Sequence, residues 1–229
     1  MSVPQLRLSR VLGYQFRNAD LFAQALTHRS LGATNNERLE FLGDGLINFV
    51  AGAALYALRP KDEEGSLSRL RASLVREETL AKIARDLNLG DVLKLGESEL
   101  KSGGFRRDSI LADGLEALIG AIYLDSDFET ARAVVLGLFA SFLQNLPDPE
   151  TLKDAKTRLQ EWLQAQARPL PCYEILSESG PPHRREFVVR CTLTDSTNEV
   201  EAKGLSRRLA EQRAAEQMLQ TITTKVTHA

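Results

Sequence analysis

This chain of 229 residues has few of the side chains that cross-link a fold or ligate soft metals: two cysteines, three histidines and two methionines. Cys172 and Cys191 are too few to frame a disulfide scaffold, and with nothing marking export they read as free thiols in strands. A zinc site built on them lacks its other ligands. No run approaches 18 uncharged apolar residues, which argues against a membrane span. The opening Met1-Ser2-Val3-Pro4-Gln5-Leu6-Arg7 has neither the apolar stretch nor the cleavage site of a secretory signal. A soluble, cytoplasmic protein with no membrane partner is the expectation. Strong net charge is missing too: the balance of −2 alone argues against nucleic acid.

That balance averages two unlike parts. Residues 1–152 hold 17 Lys and Arg against 21 Asp and Glu, whereas residues 153–229 hold 12 against 10. From Pro4 to Phe142 apolar residues recur at three and four, with short turns containing Gly, Pro or Asn between them, so the first half reads as all-helical. Within it, Ser66 to Leu87 reads as one helix with Ser66 as its N-cap. The segment Asn145-Leu146-Pro147-Asp148-Pro149-Glu150 marks a boundary. Beyond it come a helix near 155–167, three alternating β-like runs (172–176, 186–193 and 199–203) and a helix near 206–219. The order is α-β-β-β-α.

The most informative residues are acidic. In Asn36-Glu37-Arg38-Leu39-Glu40-Phe41-Leu42-Gly43-Asp44 three carboxylates fall at relative positions 0, 3 and 7, within roughly 60° of one helical face. Like charges so placed repel, and a cation should relieve them. About seventy residues on, Asp113 and Glu116 sit three apart in the otherwise apolar run Ile110-Leu111-Ala112-Asp113-Gly114-Leu115-Glu116-Ala117-Leu118. Acidic residues are almost never buried unpaired, so the two helices are expected to share a site. Carboxylates without nearby His or Cys are hard oxygen ligands that suit Mg²⁺, with Mn²⁺ as a substitute.

The nine residues 36–44 are similar to the signature of bacterial ribonuclease III, an endonuclease of double-stranded RNA. Ala25-Leu26-Thr27-His28-Arg29-Ser30, Leu67-Ser68-Arg69-Leu70-Arg71-Ala72-Ser73-Leu74-Val75 and Gly103-Gly104-Phe105-Arg106-Arg107-Asp108-Ser109-Ile110-Leu111-Ala112-Asp113 resemble further blocks of that family in the expected order. The tail resembles the double-stranded-RNA-binding domain. The resemblance implies an all-α nuclease and dimerisation domain over 1–145, a flexible linker over 146–152 and a small α+β RNA-binding domain over 153–229.

By resemblance, Glu40, Asp44, Asp113 and Glu116 hold Mg²⁺, with Asp44 and Glu116 most tied to catalysis, and Glu37 and Glu64 are either accessory acids or ordinary surface charges. The metal would lower the pKa of a bound water and neutralise charge at the phosphorus. The family's products carry 5′-phosphates and 3′-hydroxyls with two-nucleotide 3′ overhangs. Its substrates include ribosomal RNA precursors and some messenger and transfer RNA precursors. It works as a homodimer, and Phe41 resembles the residue that packs into the partner, the alternative being a place in its own core. His28 reads either as a general base or, preferably, as a histidine supporting the signature loop. Lys101, Arg106 and Arg107 are either phosphate contacts or solvated charges.

The RNA contacts implied are Thr157, Gln160, Glu161 and Gln164 on the first helix of the tail, His183 in its Gly-Pro-Pro loop, and Ser206, Arg207 and Arg208 opening the last helix. A-form RNA hides its base edges in a deep groove, so such a domain reads 2′-hydroxyls and phosphates over about 16 base pairs. A basic helix start adds its dipole to side-chain charge at phosphate. Arg207-Arg208 stand where the family usually has lysines. Gly45 stands where it commonly has serine or another small residue, and glycine there loosens the helix by roughly 0.5–1 kcal/mol relative to alanine. Two rival classes, a non-catalytic RNA-binding regulator and a phosphohydrolase of small esters, are disfavoured by the intact acidic set and by the RNA-binding tail respectively.

Overall fold

Apolar spacing of three and four in the first half produces helices α1 (Val3–Leu12), α2 (Ala19–Ala25), α3 (Glu37–Leu58), α4 (Glu64–Val75), α5 (Glu77–Asp86), α6 (Glu97–Lys101), α7 (Asp108–Asp125) and α8 (Phe128–Gln144). The structure is a computed structural model that describes residues 3–181 and 184–226. The chain divides into two units, Met1–Leu152 and Lys153–Ala229.

The centre of the first unit is α7. Leu115, Ala117, Leu118, Ile119, Ala121 and Ile122 are fully buried, and α2, α3, α5 and α8 pack around them. Each such Leu or Ile contributes about 1.5–3 kcal/mol by leaving water, which is what tolerates acidic residues on the same helix. The α3–α7 contact is tight for a steric reason. A Cβ on Gly43 would lie 1.8 Å from the Glu116 carbonyl oxygen, and one on Gly120 would lie 2.2 Å from that of Leu39. Only paired glycines let these backbones meet. By length and composition α3 is apolar enough to cross a membrane, yet Leu39, Gly43, Ile47, Val50, Ala51 and Leu55 face this core.

The single helix expected over 66–87 is two helices. Arg76 is extended (φ −67°, ψ 153°) and separates α4 from α5, and Glu63 rather than Ser66 occupies the first N-cap. The break lets α5 turn its Thr79, Leu80, Ala81, Ile83 and Ala84 face into the core, and Thr79 Oγ1 donates to the Ser73 carbonyl at 2.9 Å to close the corner. Glu77 and Glu78 then fall in the first turn of α5, where the helix dipole favours them. The 146–152 segment expected as a flexible linker groups with the first unit instead: Leu146 and Leu152 pack on its core, and Pro149–Leu152 forms a 3-10 turn.

The second unit runs α9 (Ala155–Ala165), β1 (Cys172–Ser179), β2 (Glu186–Thr192), β3 (Glu199–Gly204) and α10 (Arg207–Val226), the α-β-β-β-α order expected. The strands form an antiparallel sheet in the order β1-β2-β3, with an irregularity between Ile175 and Ser177. Leu159 and Leu163 of α9 and Ala214, Ala215, Met218 and Ile222 of α10 pack against Cys191, Leu193 and Ala202. Asp154 ties the two helices together, accepting from Thr157 N at 3.0 Å and from Gln212 Nε2 at 2.8 Å. Cys172 and Cys191 are both free thiols.

The glycines yield a paired prediction. Gly43→Ala should destabilise the first unit by roughly 3 kcal/mol, because backbone rather than a movable side chain receives the new methyl. A Cβ at Gly45 meets nothing within 4 Å, so Gly45→Ala should stabilise by about 0.5–1 kcal/mol. Thermal denaturation of the two variants checks both signs.

Candidate functional site

The glycine crossing delivers acids from two helices to one place. Carboxylate oxygens of Glu40 on α3 and of Asp113 and Glu116 on α7 lie within 4.8 Å of one another, all three residues half-buried. His28, Arg29, Asn36, Glu37, Glu40 and Asp113 line a cleft of about 120 Å³ beside them. Burial and then the charges of Asp44, Asp113 and Glu40 push the Glu116 carboxyl from its ordinary 4.5 up to about 8. Glu40 is raised by burial and by Asp113, and Asp113 by burial and by Glu77, with Arg29 opposing both rises.

Asp44 stands slightly apart. It is exposed, falls outside the three-carboxylate group, and its Oδ1 accepts from Asn48 Nδ2 at 2.7 Å. Its charge is still the first among those raising Glu116. Glu37 sits at the cleft rim in a 3.4 Å ion pair with Arg29. Glu64 is elsewhere: it accepts from Ser68 Oγ at 2.8 Å and lines a separate cavity between α3 and α4 with Asn48, Phe49, Tyr56 and Arg71. Phe41 is 83% exposed, which excludes a place in its own core.

His28 is buried and caps the 3-10 turn Arg29–Leu31, its Nδ1 accepting from Ser30 N at 3.2 Å. Its main-chain N–H donates to the Lys94 carbonyl at 3.0 Å, and Ser30 Oγ accepts from Gly96 N at 2.8 Å. These bonds hold the turn that presents Arg29. Lys101 and Arg107 pair with Glu97 and Glu99, and the Arg106 guanidinium lies over the Phe105 ring.

In the second unit Gln160, Glu161 and Gln164 are exposed along α9, with Thr157 half-buried one turn before them. Thr157 Oγ1 donates to Asp154 Oδ2 at 3.0 Å, and Glu161 accepts from Lys153 Nζ at 2.6 Å. Ser206 caps α10, its Oγ accepting from Leu209 N at 3.2 Å. Arg207 and Arg208 are exposed at that helix start. Arg207 Nε donates to Glu211 Oε1 at 2.8 Å, and Lys156 Nζ donates to Glu211 Oε2 at 2.6 Å. Burial works against the ionised Glu211, but those two cations outweigh it and hold its carboxyl below the ordinary range. His183 lies outside the described residues. Trp162 packs partly buried against the second core.

Sequence reasoning passed over Arg29 and Asn48 as site neighbours. Asn48 had a signal, an amide four residues after Asp44 on one helix. Arg29 had none, because its partner Glu37 is met only through the folded turn.

Residues 18–142 match the family described as Ribonuclease-III-like, and residues 155–222 match the double-stranded RNA binding motif. The chain therefore joins a nuclease-type helical domain to a module for duplex RNA. It is 57% identical over 215 residues to the Ribonuclease 3 of Pseudomonas fluorescens, covering 94% of each chain, and 52% identical over 223 residues to that of Vibrio vulnificus, covering 97% of this chain and 99% of the other. The nuclease domain of ribonuclease III from Campylobacter jejuni superposes with a TM-score of 0.58 at 47% identity, over 59% of this chain and 95% of that one. This chain belongs to the ribonuclease III family of endoribonucleases.

The crowded carboxylates predict a pH dependence. Glu116 ionises near 4.5 when unfolded and near 8 when folded, so across that interval the native state holds more protons and stability falls as pH rises. Metal-free protein kept in chelator should show a falling thermal midpoint from pH 5 to 8, and Glu116→Gln should flatten that slope.

Proposed function

We propose that the chain cleaves double-stranded RNA by hydrolysis at a divalent-cation site formed by Glu40, Asp44, Asp113 and Glu116, leaving 5′-phosphate and 3′-hydroxyl ends with two-nucleotide 3′ overhangs. The observation that carries this reading is the convergence of three half-buried carboxylates within 4.8 Å. The donor set fits Mg²⁺ or Mn²⁺: every ligand atom is a carboxylate oxygen, and burial together with the charges of its neighbours raises Glu116 to about 8, a crowding that a divalent charge relieves. When bound, the ion supplies a water of lowered pKa and positive charge against the phosphodiester.

The protein's own groups do the remainder. Glu116 gives up its carboxyl proton as the charge around it is neutralised, and the acids of α3 and α7 are held in register by the glycine crossing. Glu37 shares the cleft rim with Arg29 as an accessory acid. Gln160, Glu161, Gln164 and Thr157 meet ribose hydroxyls in the minor groove, while Ser206, Arg207 and Arg208 meet phosphate at the start of α10. His183 supplies the third contact. Ribosomal RNA precursors and some messenger and transfer RNA precursors are the substrates, in the cytoplasm.

The working form is a homodimer. Phe41, Phe49 and Tyr56 are 83%, 62% and 76% exposed, and their spacing of eight and seven aligns them along one stripe of α3. Large aromatics so exposed mark an interaction surface. The nuclease domain of ribonuclease III from Campylobacter jejuni has a region involved in dimer formation. The α3–α4 cavity lined by Phe49, Gly52, Leu67 and Arg71 is the seat for Phe41 of a second copy.

Two experiments follow. Purified full-length protein should cut perfect duplex RNA in Mg²⁺ and only bind it in Ca²⁺, and Glu116→Gln should bind without cutting; cleavage in chelator defeats the mechanism. Phe41→Ala should shift the protein from dimer toward monomer in sedimentation velocity at micromolar concentration, and an unchanged dimer removes Phe41 from the interface.

A further inference from the structure

The amide of Asn48 donates twice to one residue. Its Nδ2 lies 2.7 Å from Asp44 Oδ1 and 3.1 Å from the Asp44 main-chain oxygen. One nitrogen held to both the backbone and the carboxylate of the same residue fixes the side-chain torsion of that residue and leaves the other carboxylate oxygen without a hydrogen bond from a described residue. Asn48 itself is half-buried and lines the α3–α4 cavity beside Phe49, Gly52, Leu67 and Arg71.

The need for such a device is local. Gly45 follows Asp44 directly, and nothing lies within 4 Å of where its Cβ would be. The helix is therefore open at Gly45, beside the one acid that lies outside the three-carboxylate group. Glu40, Asp113 and Glu116 are held by burial at the crossing; Asp44 is exposed and has only Asn48.

We infer that Asn48 is a positioning residue for Asp44, orienting its carboxylate so that a divalent cation is met by a preset fourth ligand. This rests on the metal site proposed above. The charge of Asp44 already reaches the site, as the first among the charges raising Glu116. Partners that orient a ligand in this way typically change metal affinity by 10–100-fold when removed. Asparagine is a poorer helix former than alanine, so Asn48→Ala should leave the fold intact.

The test is titration of the full-length protein with Mn²⁺ by calorimetry in the absence of RNA, with thermal denaturation of the metal-free form alongside. Asn48→Ala should weaken Mn²⁺ binding about tenfold at an unchanged metal-free midpoint. Asn48→Gln, which keeps an amide within reach one turn from Asp44, should restore most of the affinity. In turnover, Asn48→Ala should lower kcat on duplex RNA while KM stays put. Unchanged Mn²⁺ affinity in Asn48→Ala overturns the inference, as does a loss that tracks a lowered metal-free midpoint. Glu116→Gln separates the two layers: if it too leaves Mn²⁺ binding untouched, the metal site itself is wrong, whereas loss in Glu116→Gln alone removes only Asn48.

Discussion

The first unit depends on a contact between two backbones. Where α3 crosses α7, Gly43 and Gly120 each lie so close to a carbonyl of the other helix that no side chain fits between. Apolar burial along α7 supplies the free energy for this approach, and the approach costs it something in return, because it carries carboxylates into partial burial next to one another. The Glu116 carboxyl near 8 is the electrostatic signature of that cost. A fold optimised for stability alone would space these charges apart or replace them with apolar groups. Half-buried carboxylates gathered at a crossing that glycines make tight are the physical ground for reading this place as a candidate site and not a surface patch.

Around the crossing, the loops are held by hydrogen bonds, as Asp44 is by Asn48, whereas Glu40, Asp113 and Glu116 are placed by the helix crossing. The turn bearing Arg29 is fastened by His28, Ser30, Lys94 and Gly96. Asp125 accepts from Tyr14 Oη at 2.6 Å and from the main-chain N–H groups of Arg17 and Asn18, joining the end of α7 to the loop before α2. By contrast Arg29 meets Glu37 only at 3.4 Å with both side chains largely exposed, an ion pair worth little in water. A rigid frame thus presents a cleft whose charges remain free to answer to a cation or a phosphate. The second unit uses a similar division: Asp154 is locked into a helix cap and Glu211 into two ion pairs, while the amides of α9 and Arg208 are left exposed.

Much of this was legible in the residues. The 0, 3, 7 spacing of Glu37, Glu40 and Asp44, and of Asp113 and Glu116 in an apolar run, placed the acids on helix faces because helical periodicity is a local property. The α-β-β-β-α order followed from a change of period, also local. The division of Ser66–Leu87 was not legible: no Gly or Pro marks Arg76, and the helix breaks there so that Thr79 and Leu80 can reach α7, a demand made from outside the segment. The tail of the first unit was misread for the same reason, since Pro147 and Pro149 suggest a linker and only the core reveals that Leu152 packs on it.

The amino-acid order alone therefore determined which helices carry acid, where the period changes from helix to strand, and that the tail has a basic helix start, since each of these is decided within a few residues. Tertiary structure decided the distances. That Glu40 meets Asp113 and Glu116 while Asp44 is drawn to Asn48, that Phe41 points to solvent, and that Glu64 belongs to another cavity all depend on how closely α3, α4 and α7 approach. Packing sets that approach across long sequence separations, through the absence of a methyl group at two glycines, and no local pattern encodes it.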